Sequence, residues 1–275
     1  MPVTLPTIAI LGTGSMGGAI LSGLLSPEVV VDGGIRVTNR SAEKAAALAS
    51  ATVTSLATSV DPDANRTAVT GAKIVLIGVK PAMVPDLLRE VADSLEADAV
   101  VVSVAAGVTI ATMESLVSGA VLRSMPNTPA IVGRGVTGLA AGTRSTPHDL
   151  AVVRALFETV GEVLEIPEDQ IDALSTISGS GPAYVFFLIE QLTRTAVDLG
   201  FTPEQAATMV NGTFIGAAEL LASSESTPEQ LRIQVTSPKG TTERAVAELD
   251  AADLHAVFDR ATAAALARAK ELAAG

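Results

Sequence analysis

The sequence predicts an α/β protein in which a doubly wound, mostly parallel sheet is followed by a domain made only of helices. Short β-branched runs alternate with helical stretches over roughly the first 165 residues, and such runs stop after IPEDQ. Several runs are apolar throughout, as in IVLIGV, which is typical of parallel strands covered by helices on both faces. We therefore predict a sheet domain at 1–166 and a helical domain at 167–275.

Eight runs in the first domain are predicted to form strands: 7–11, 35–39, 51–54, 74–79, 99–104, 120–124, 135–140 and 161–166. Helices are predicted in the second domain at 170–199, 203–223, 228–235, 241–250 and 253–272. The segment AYVFFLIEQL in the first of these helices is apolar on every side, so it needs burial all round. A partner subunit would supply that burial. We therefore expect at least a homodimer, with assembly into larger rings as an open alternative.

The composition argues against several classes of function. A net charge of −12 disfavours nucleic acid as a partner, because phosphate binding needs a basic face. The chain has no cysteine, and its two histidines, His148 and His255, lie far apart, so we expect no metal site. No apolar run reaches the roughly 18 residues of a membrane span, and the start does not read as a signal peptide. We expect a cytoplasmic protein without a membrane partner.

A glycine-rich loop follows the first predicted strand, in the segment IAILGTGSMGGAI. Gly12, Gly14 and Gly17 have the G-x-G-x-x-G spacing that joins a strand to a helix in Rossmann-type domains, and Ser15 and Met16 lie between them. These glycines allow a tight turn, close approach of a pyrophosphate and close packing of the helix. The phosphates would meet the positive end of the helix. A glycine turn without a ligand is the alternative.

The end of the second strand bears on which dinucleotide binds. NAD sites usually place an acidic residue here for the ribose 2′-hydroxyl, whereas this chain has Asn39, Arg40 and Ser41. A guanidinium and hydroxyl or amide groups suit a 2′-phosphate. The pattern predicts NADPH as the cofactor, with NADH also possible. The alternative is that Arg40 only lies in solvent.

Three later loops follow strand ends, where ligands of open α/β sheets bind. They are GVKP at 78–81, SVAAGV at 103–108 and RSMPNTP at 123–129. Small residues in the second loop would let a flat nicotinamide ring lie against the backbone, and Asn127 and Thr128 offer hydrogen-bonding groups. Ordinary turn chemistry is the alternative for each loop. The candidate cofactor contacts are Val79, Lys80, Pro81, Ala105, Ala106, Gly107 and Asn127.

Together these segments resemble one family, pyrroline-5-carboxylate reductase. The resemblance rests on motifs in the family's order along nearly the whole chain: GTGSMGGAI, VKP, RSMPNTP, SGSGPAY and VTSPKGTT. It implies reduction of 1-pyrroline-5-carboxylate to L-proline with NAD(P)H, the last step of proline biosynthesis. It also implies helical domains interleaved between two subunits that share an active site. Asn65 resembles a family asparagine on the adenosine side of the cofactor.

The resemblance also implies a substrate site at 237–242. Thr242 matches the threonine that bonds the ring nitrogen, and Glu225 matches an acidic residue nearby, in a looser alignment. The chemistry agrees, because a cyclic imine with a carboxylate needs a partner for nitrogen and an anion hole. We expect Ser237 and the N–H groups of Gly240 and Thr241 to bind the carboxylate at the start of a helix.

The same stretch also matches an ordinary helix start, with Gly240 as N-cap and Glu243 at the third helical position. The two roles are compatible. Lys239 departs from the family, whose members commonly have glycine here, and a lysine is costly if this residue needs a positive φ. Its ammonium either attracts the substrate carboxylate or projects into solvent.

Three other functions remain as alternatives. A β-hydroxyacid dehydrogenase would place a catalytic lysine on the long interdomain helix, but residues 166–200 contain no lysine. A reductase that acts on another cyclic imino acid is harder to distinguish from a reductase of 1-pyrroline-5-carboxylate. A non-catalytic NADP-binding regulatory protein would need the glycine loop but not the ordered turn at 237–242.

Overall fold

The computed structural model describes residues 2–274, and their side chains as far as Glu271. The described chain forms two compact units. One comprises the residues up to Ser180 together with those from Ala265 onward, and the other is Gly181–Ala264. The contacts thus divide the chain later than residue 166, since the first helical segments after the sheet pack with the sheet unit. The domain boundary at 166/167 stays a prediction.

The strands of the first unit are β1 (Val3–Leu5), β2 (Ile8–Leu11), β3 (Val29–Val31), β4 (Ile35–Asn39), β5 (Val53–Ala57), β6 (Ile74–Ile77), β7 (Val100–Ser103), β8 (Ala120–Met125), β9 (Gly135–Ala141) and β10 (Gly161–Glu165). Eight of them form one sheet in the order β10-β9-β8-β7-β6-β2-β4-β5. All neighbours in this sheet are parallel except β8 and β9, which are antiparallel. A separate pair, β1 and β3, is parallel.

The apolar strand runs are explained by helices on both faces of the sheet. Every residue of β2, β6 and β7 is buried, and two apolar clusters fill the two sides. The helices of the sheet unit before Ser175 are α1 (Ser15–Leu24), α2 (Ala42–Leu48), α3 (Ala64–Val69), α4 (Val84–Val91), α5 (Ile110–Glu114), α6 (Pro147–Glu158) and α7 (Ile171–Leu174). The predicted mostly parallel, doubly wound sheet is confirmed.

The order of the central strands determines where a ligand can bind. The chain moves from β2 outward through β4 and β5, then returns to the other side of β2 with β6. The point where the strand order reverses, between β2 and β6, opens a crevice at their carboxyl ends. The loops that begin at Gly12 and Gly78 border this point.

The second unit is made of helices, as predicted. They are α8 (Gly181–Asp198), α9 (Pro203–Ala222), α10 (Pro228–Gln234), α11 (Thr241–Ala251) and α12 (Leu254–Ala274), the last of which extends into the first unit. Capping boxes begin α9 and α10, where Thr202 pairs with Gln205 and Thr227 with Gln230. Among the described residues, no helix combines the length and apolar character needed to cross a bilayer.

Two details differ from the prediction. The pair β1 and β3 was not predicted, because three-residue strands are too short for an alternation pattern to be read. The single helix predicted at 170–199 is interrupted by a π-helical turn at Ser175–Gly179, with a hydrogen bond from Ser180 N to Ser175 O of 2.9 Å. A wider turn of this kind is common at functional sites.

Candidate active site

The loop after β2 is built from backbone packed against backbone. Gly12 has a φ of +93°, which a side chain would strain. A Cβ on Gly17 would lie 2.4 Å from Gly12 O, and a Cβ on Gly78 would lie equally close to the same atom. Gly78 was not among the predicted site residues, because its contact with Gly12 exists only once β6 lies beside β2.

The start of α1 is free to receive an anion. Gly14 is its N-cap without a side-chain capping bond, and the first turn contains no acidic residue. A Cβ on Gly14 would meet nothing within 4 Å, and Gly14 and Ser15 are both exposed. Met16 instead packs against the core. The exposed backbone N–H groups at this helix start therefore suit a pyrophosphate.

A cleft of about 350 Å³ lies beside this loop and collects several predicted residues. Its lining residues include Gly12 and Val79, and also Asn39, Arg40 and Asn65. Asn65 donates through Nδ2 to Glu90 Oε1 at 3.1 Å. Glu90 and Asp86 also line the cleft, and the sequence did not point to these two carboxylates. The residues predicted for the adenosine side of the cofactor are thus brought together.

Asn39 carries an unused donor in this cleft. The residue is 7% exposed, and Oδ1 accepts a hydrogen bond from Thr13 Oγ1 at 2.6 Å. That bond orients the amide, whereas Nδ2 is buried and has no partner within the described part of the chain. An unsatisfied buried donor costs about 1–3 kcal/mol, and an oxygen of a bound ribose or phosphate would remove that cost. The cleft therefore fits the dinucleotide.

Arg40 and Ser41, which follow Asn39 in the chain, differ in whether their side chains already have a partner in the protein. Arg40 is exposed, and no ion pair involves it among the described residues. Ser41 is the N-cap of α2, and its Oγ accepts a long hydrogen bond of 3.4 Å from Lys44 N. The guanidinium is thus available to a phosphate, while the serine hydroxyl has a local role as well.

The loops after β6 and β7 expose backbone at the same edge of the sheet. Lys80 and Pro81 are exposed at the start of a short 3₁₀ turn. In the next loop Gly107 has a φ of +75°, and Ala106 is exposed. Ala105 is buried, and its N–H donates to Ser103 Oγ at 3.1 Å, so only Ala106 and Gly107 present a surface to a ring.

Asn127 has a different role from the cofactor contact predicted for its side chain. Its Nδ2 donates to Ser178 O at 2.9 Å, and its Oδ1 accepts from Val136 N at 2.8 Å. Ser178 O is free for this bond because residue 182, which would donate to it in a regular α-helix, is a proline without an N–H. The amide therefore joins the loop after β8 to the π-helical turn.

Arg123 was not singled out in the sequence, yet it is the most buried cation of this region. Its side chain is 5% exposed, with Nη2 lying 2.6 Å from Asp172 Oδ1 and Nη1 lying 3.5 Å from Glu168 Oε1. The same oxygen of Glu168 accepts from Ile110 N at 2.6 Å. This network connects the strand before the MPNTP loop, the start of α5 and the segment that leads into the π-helical turn.

The predicted substrate turn is a type II β-turn. Gly240 N donates to Ser237 O at 3.0 Å, with Pro238 at the second position and Lys239 at the third with a φ of +63°. The left-handed conformation costs a residue with a side chain about 1–2 kcal/mol, so glycine is preferred at this position. Lys239 N also donates to Glu243 Oε2 at 2.9 Å. The lysine is thus in the costly conformation considered for it.

The turn corrects one expected contact and leaves others available. The N–H of Gly240 is used within the turn, so it is not free to bind a carboxylate as expected. Gly240 is the N-cap of α11 without a side-chain capping bond, and Thr241 and Thr242 follow it exposed. The N–H groups at the first helical positions therefore remain available to form the anion hole.

The remaining predicted residues of this unit are less connected. Ser237 is exposed in the turn. Glu225 is exposed in the loop between α9 and α10, and no hydrogen bond or ion pair joins it to the turn among the described residues. The structure thus assembles the turn and the helix start, but it does not bring Glu225 to them.

Comparison with known proteins agrees with both units. Residues 168–272 match the family model for pyrroline-5-carboxylate reductase dimerisation, and residues 7–107 match one described as NADP oxidoreductase, coenzyme F420-dependent. The pyrroline-5-carboxylate reductase of Corynebacterium melassecola is 38% identical over 271 residues, which cover 97% of this chain and 98% of that protein. The chain belongs to the pyrroline-5-carboxylate reductase family.

Other relatives of the family give the same result. The pyrroline-5-carboxylate reductase of Pseudomonas aeruginosa is 35% identical, covering 98% of this chain and 97% of that one. The solved pyrroline-5-carboxylate reductase of Coxiella burnetii superposes with a TM-score of 0.88 at 36% identity, covering 96% of this chain and 97% of that one. As a member of the family, the chain is an oxidoreductase that reduces pyrroline-5-carboxylate with a nicotinamide cofactor.

Proposed function

We propose that the chain completes proline biosynthesis by reducing 1-pyrroline-5-carboxylate to L-proline, with the 237–242 turn holding the imine. The observation that carries this assignment of residues is the turn itself. It ends at a helix start without a side-chain cap and presents the exposed Thr242 at the second helical position. The reaction needs an anion site and a hydrogen-bond partner for nitrogen, and this turn offers both within a few residues.

The reaction transfers a hydride with its electron pair from the nicotinamide to the C=N carbon. The protonated ring nitrogen receives the electrons of the C=N π bond and becomes the secondary amine of proline. We assign the Thr242 hydroxyl to the N–H of this nitrogen, as an acceptor that orients the ring. The carboxylate binds the helix N–H groups of Thr241 and Thr242 and the hydroxyl of Ser237, near the positive end of the α11 dipole. Glu225 stays a prediction without contact support.

We also propose NADPH as the preferred cofactor. No acidic residue ends β4, while Arg40 and Asn39 line the cleft, Arg40 is exposed, and Asn39 has an unpaired buried donor in Nδ2. A 2′-phosphate would pair with the guanidinium, since that group matches phosphate geometry, and NADH would leave that interaction unmade. Of the remaining predicted contacts, Asn65 and Val79 line the cleft, and Lys80, Pro81, Ala106 and Gly107 are proposed for the nicotinamide side.

Substituting Thr242 with alanine tests the proposed function. We expect kcat/KM for 1-pyrroline-5-carboxylate to fall about 10–100-fold, since a hydrogen bond to a charged group contributes about 1.5–3 kcal/mol. The affinity for NADPH should stay near that of the wild type. The measurement is the rate at which NADPH absorbance falls, over a series of substrate concentrations. The same series with NADH compares kcat/KM for the two cofactors.

Thr242→Ser is the matched control, because it keeps the hydroxyl and should retain most of the activity. The proposed role of Thr242 is wrong if the serine and alanine variants lose activity equally.

Equal kcat/KM with NADPH and NADH would contradict the proposed cofactor preference.

We further propose a homodimer whose two copies share each active site. Support comes from α8, where apolar side chains predicted to need burial are exposed in the single chain: Val185 at 44%, Phe186 at 62% and Phe187 at 59%. Such a contiguous apolar surface indicates an interface, and a dimerisation family model covers this helix.

The expected cytoplasmic location also stays a prediction from the sequence.

Substituting Phe186 with aspartate should separate the two copies. A charge buried in an apolar interface is destabilising by several kcal/mol, so we expect light scattering to give the mass of one chain instead of two. Phe186→Leu keeps an apolar side chain and should remain dimeric. A dimeric aspartate variant would show that this face of α8 does not form the interface.

A further inference from the structure

Lys239 stands at a backbone position that does not require a lysine. At φ +63° it takes the third position of the type II turn, which glycine fills without strain. Its only backbone bond in the described chain runs from its N–H to Glu243 Oε2, at 2.9 Å. Glycine has the same N–H and would donate the same bond. The reason for a lysine here must therefore lie in its side chain.

The side chain is a free cation at the substrate turn. Lys239 is exposed, and no ion pair involves its ammonium among residues 2–271, whose side chains are described. The carboxylate of Glu243 accepts the backbone N–H of Lys239 from within the same turn. The ammonium group thus extends from the position directly before Gly240, the N-cap of the helix to which we assign the substrate carboxylate.

The charge of the whole chain makes a local cation useful. The net charge is −12, and the proposed substrate carries a carboxylate, so the overall field of each chain repels it. A cation at the mouth of a binding site raises the local concentration of an anionic ligand and its rate of association. Strain retained at one residue of a functional site is an indication that the residue serves that site.

We propose that Lys239 is a substrate-binding residue, whose ammonium attracts the carboxylate of the cyclic imino acid into the site. The inference rests on the proposed function of the turn. The ammonium acts on capture and binding of the substrate, not on the hydride transfer, because it interacts with the carboxylate equally before and during the reaction. It therefore lowers KM and leaves kcat unchanged. Its effect weakens as salt screens exposed charges.

Three variants separate charge from strain. Lys239→Gln removes the charge and keeps the strained conformation, Lys239→Gly removes both, and Lys239→Arg keeps both. Lys270→Gln is the matched control, since it makes the same change in net charge on the exposed surface of α12. The readouts are kcat and KM for 1-pyrroline-5-carboxylate at about 20 mM and about 500 mM salt, where the Debye length differs several-fold, together with Tm.

We expect KM to rise about three- to tenfold in the glutamine and glycine variants at low salt, with kcat unchanged, and to approach the wild-type value at high salt. The arginine variant and Lys270→Gln should match the wild type. The glycine variant should also have a higher Tm than the wild type, because glycine adopts the positive φ at this position without strain.

A wild-type KM in both the glutamine and glycine variants at low salt would overturn the inference. A rise in KM in the glutamine variant alone, or a rise in KM that added salt does not reduce, would overturn it as well. A fall in kcat would also contradict it, since the side chain would then act in the transition state. Absence of turnover in the wild type would instead overturn the proposed function, and the inference with it.

Discussion

Substituting Gly17 with alanine is expected to raise the dissociation constant for NADPH about 5- to 150-fold. The new Cβ would lie 2.4 Å from Gly12 O, so the helix start must move away from the loop that holds the pyrophosphate. Forcing an atom into such a contact costs about 1–3 kcal/mol, and about 1.4 kcal/mol corresponds to a factor of ten in affinity. Fluorescence titration with NADPH measures the effect.

The neighbouring glycine provides a matched control. A Cβ on Gly18 would meet nothing within 4 Å, and Gly18 lies in the helix, where alanine is favoured over glycine by about 1 kcal/mol. Gly18→Ala should therefore bind NADPH like the wild type. If the two variants bind NADPH equally well, close packing of α1 on the glycine loop does not position the phosphates.

Substituting Arg123 with leucine is expected to destabilise the chain by about 3–5 kcal/mol. The guanidinium is 5% exposed, and its removal leaves the carboxylates of Asp172 and Glu168 without their cation in a partly buried environment. Breaking a buried ion pair by removing one partner has a cost of this size. Urea unfolding followed by circular dichroism measures the loss.

Arg154 offers a control of the same chemistry at the surface. It also pairs with two carboxylates, those of Glu158 at 2.7 Å and Glu165 at 2.8 Å, but it is 43% exposed. Arg154→Leu should cost at most about 1 kcal/mol, because water replaces an exposed partner. Similar losses in both variants would contradict a special role for burial at Arg123.

The sequence was sufficient for features whose cause is local. The central strands were predicted because continuous apolar runs suit strands covered on both faces, and β2, β6 and β7 are buried throughout. The glycine loop and the helix start at Gly240 were predicted for the same reason, since they depend on backbone conformation within a few residues. A single helix at 170–199 was predicted wrongly in detail, because the π-helical turn at Ser175–Gly179 interrupts it.

Contacts between distant residues were not predictable in this way. Asn127 was assigned to the cofactor because its loop follows a strand, whereas its side chain binds Ser178 O, 51 residues away. The bond from Arg123 to Asp172 spans 49 residues, and nothing near Arg123 in the chain indicates an acidic partner. Similarly, the need for glycine at 78 arises only where the loops after the neighbouring strands β2 and β6 meet.

The sequence by itself determined which segments can bind which chemical groups. A glycine loop at a strand end suits phosphates, and a proline-containing turn at a helix start suits a carboxylate, because both follow from steric limits and free N–H groups close to one residue. Only the tertiary structure decided which polar groups are already used. The side chain of Asn127 has protein partners, while Asn39 Nδ2 has none among the described residues. A buried polar group takes whichever partner the fold places beside it, and that depends on how distant segments pack.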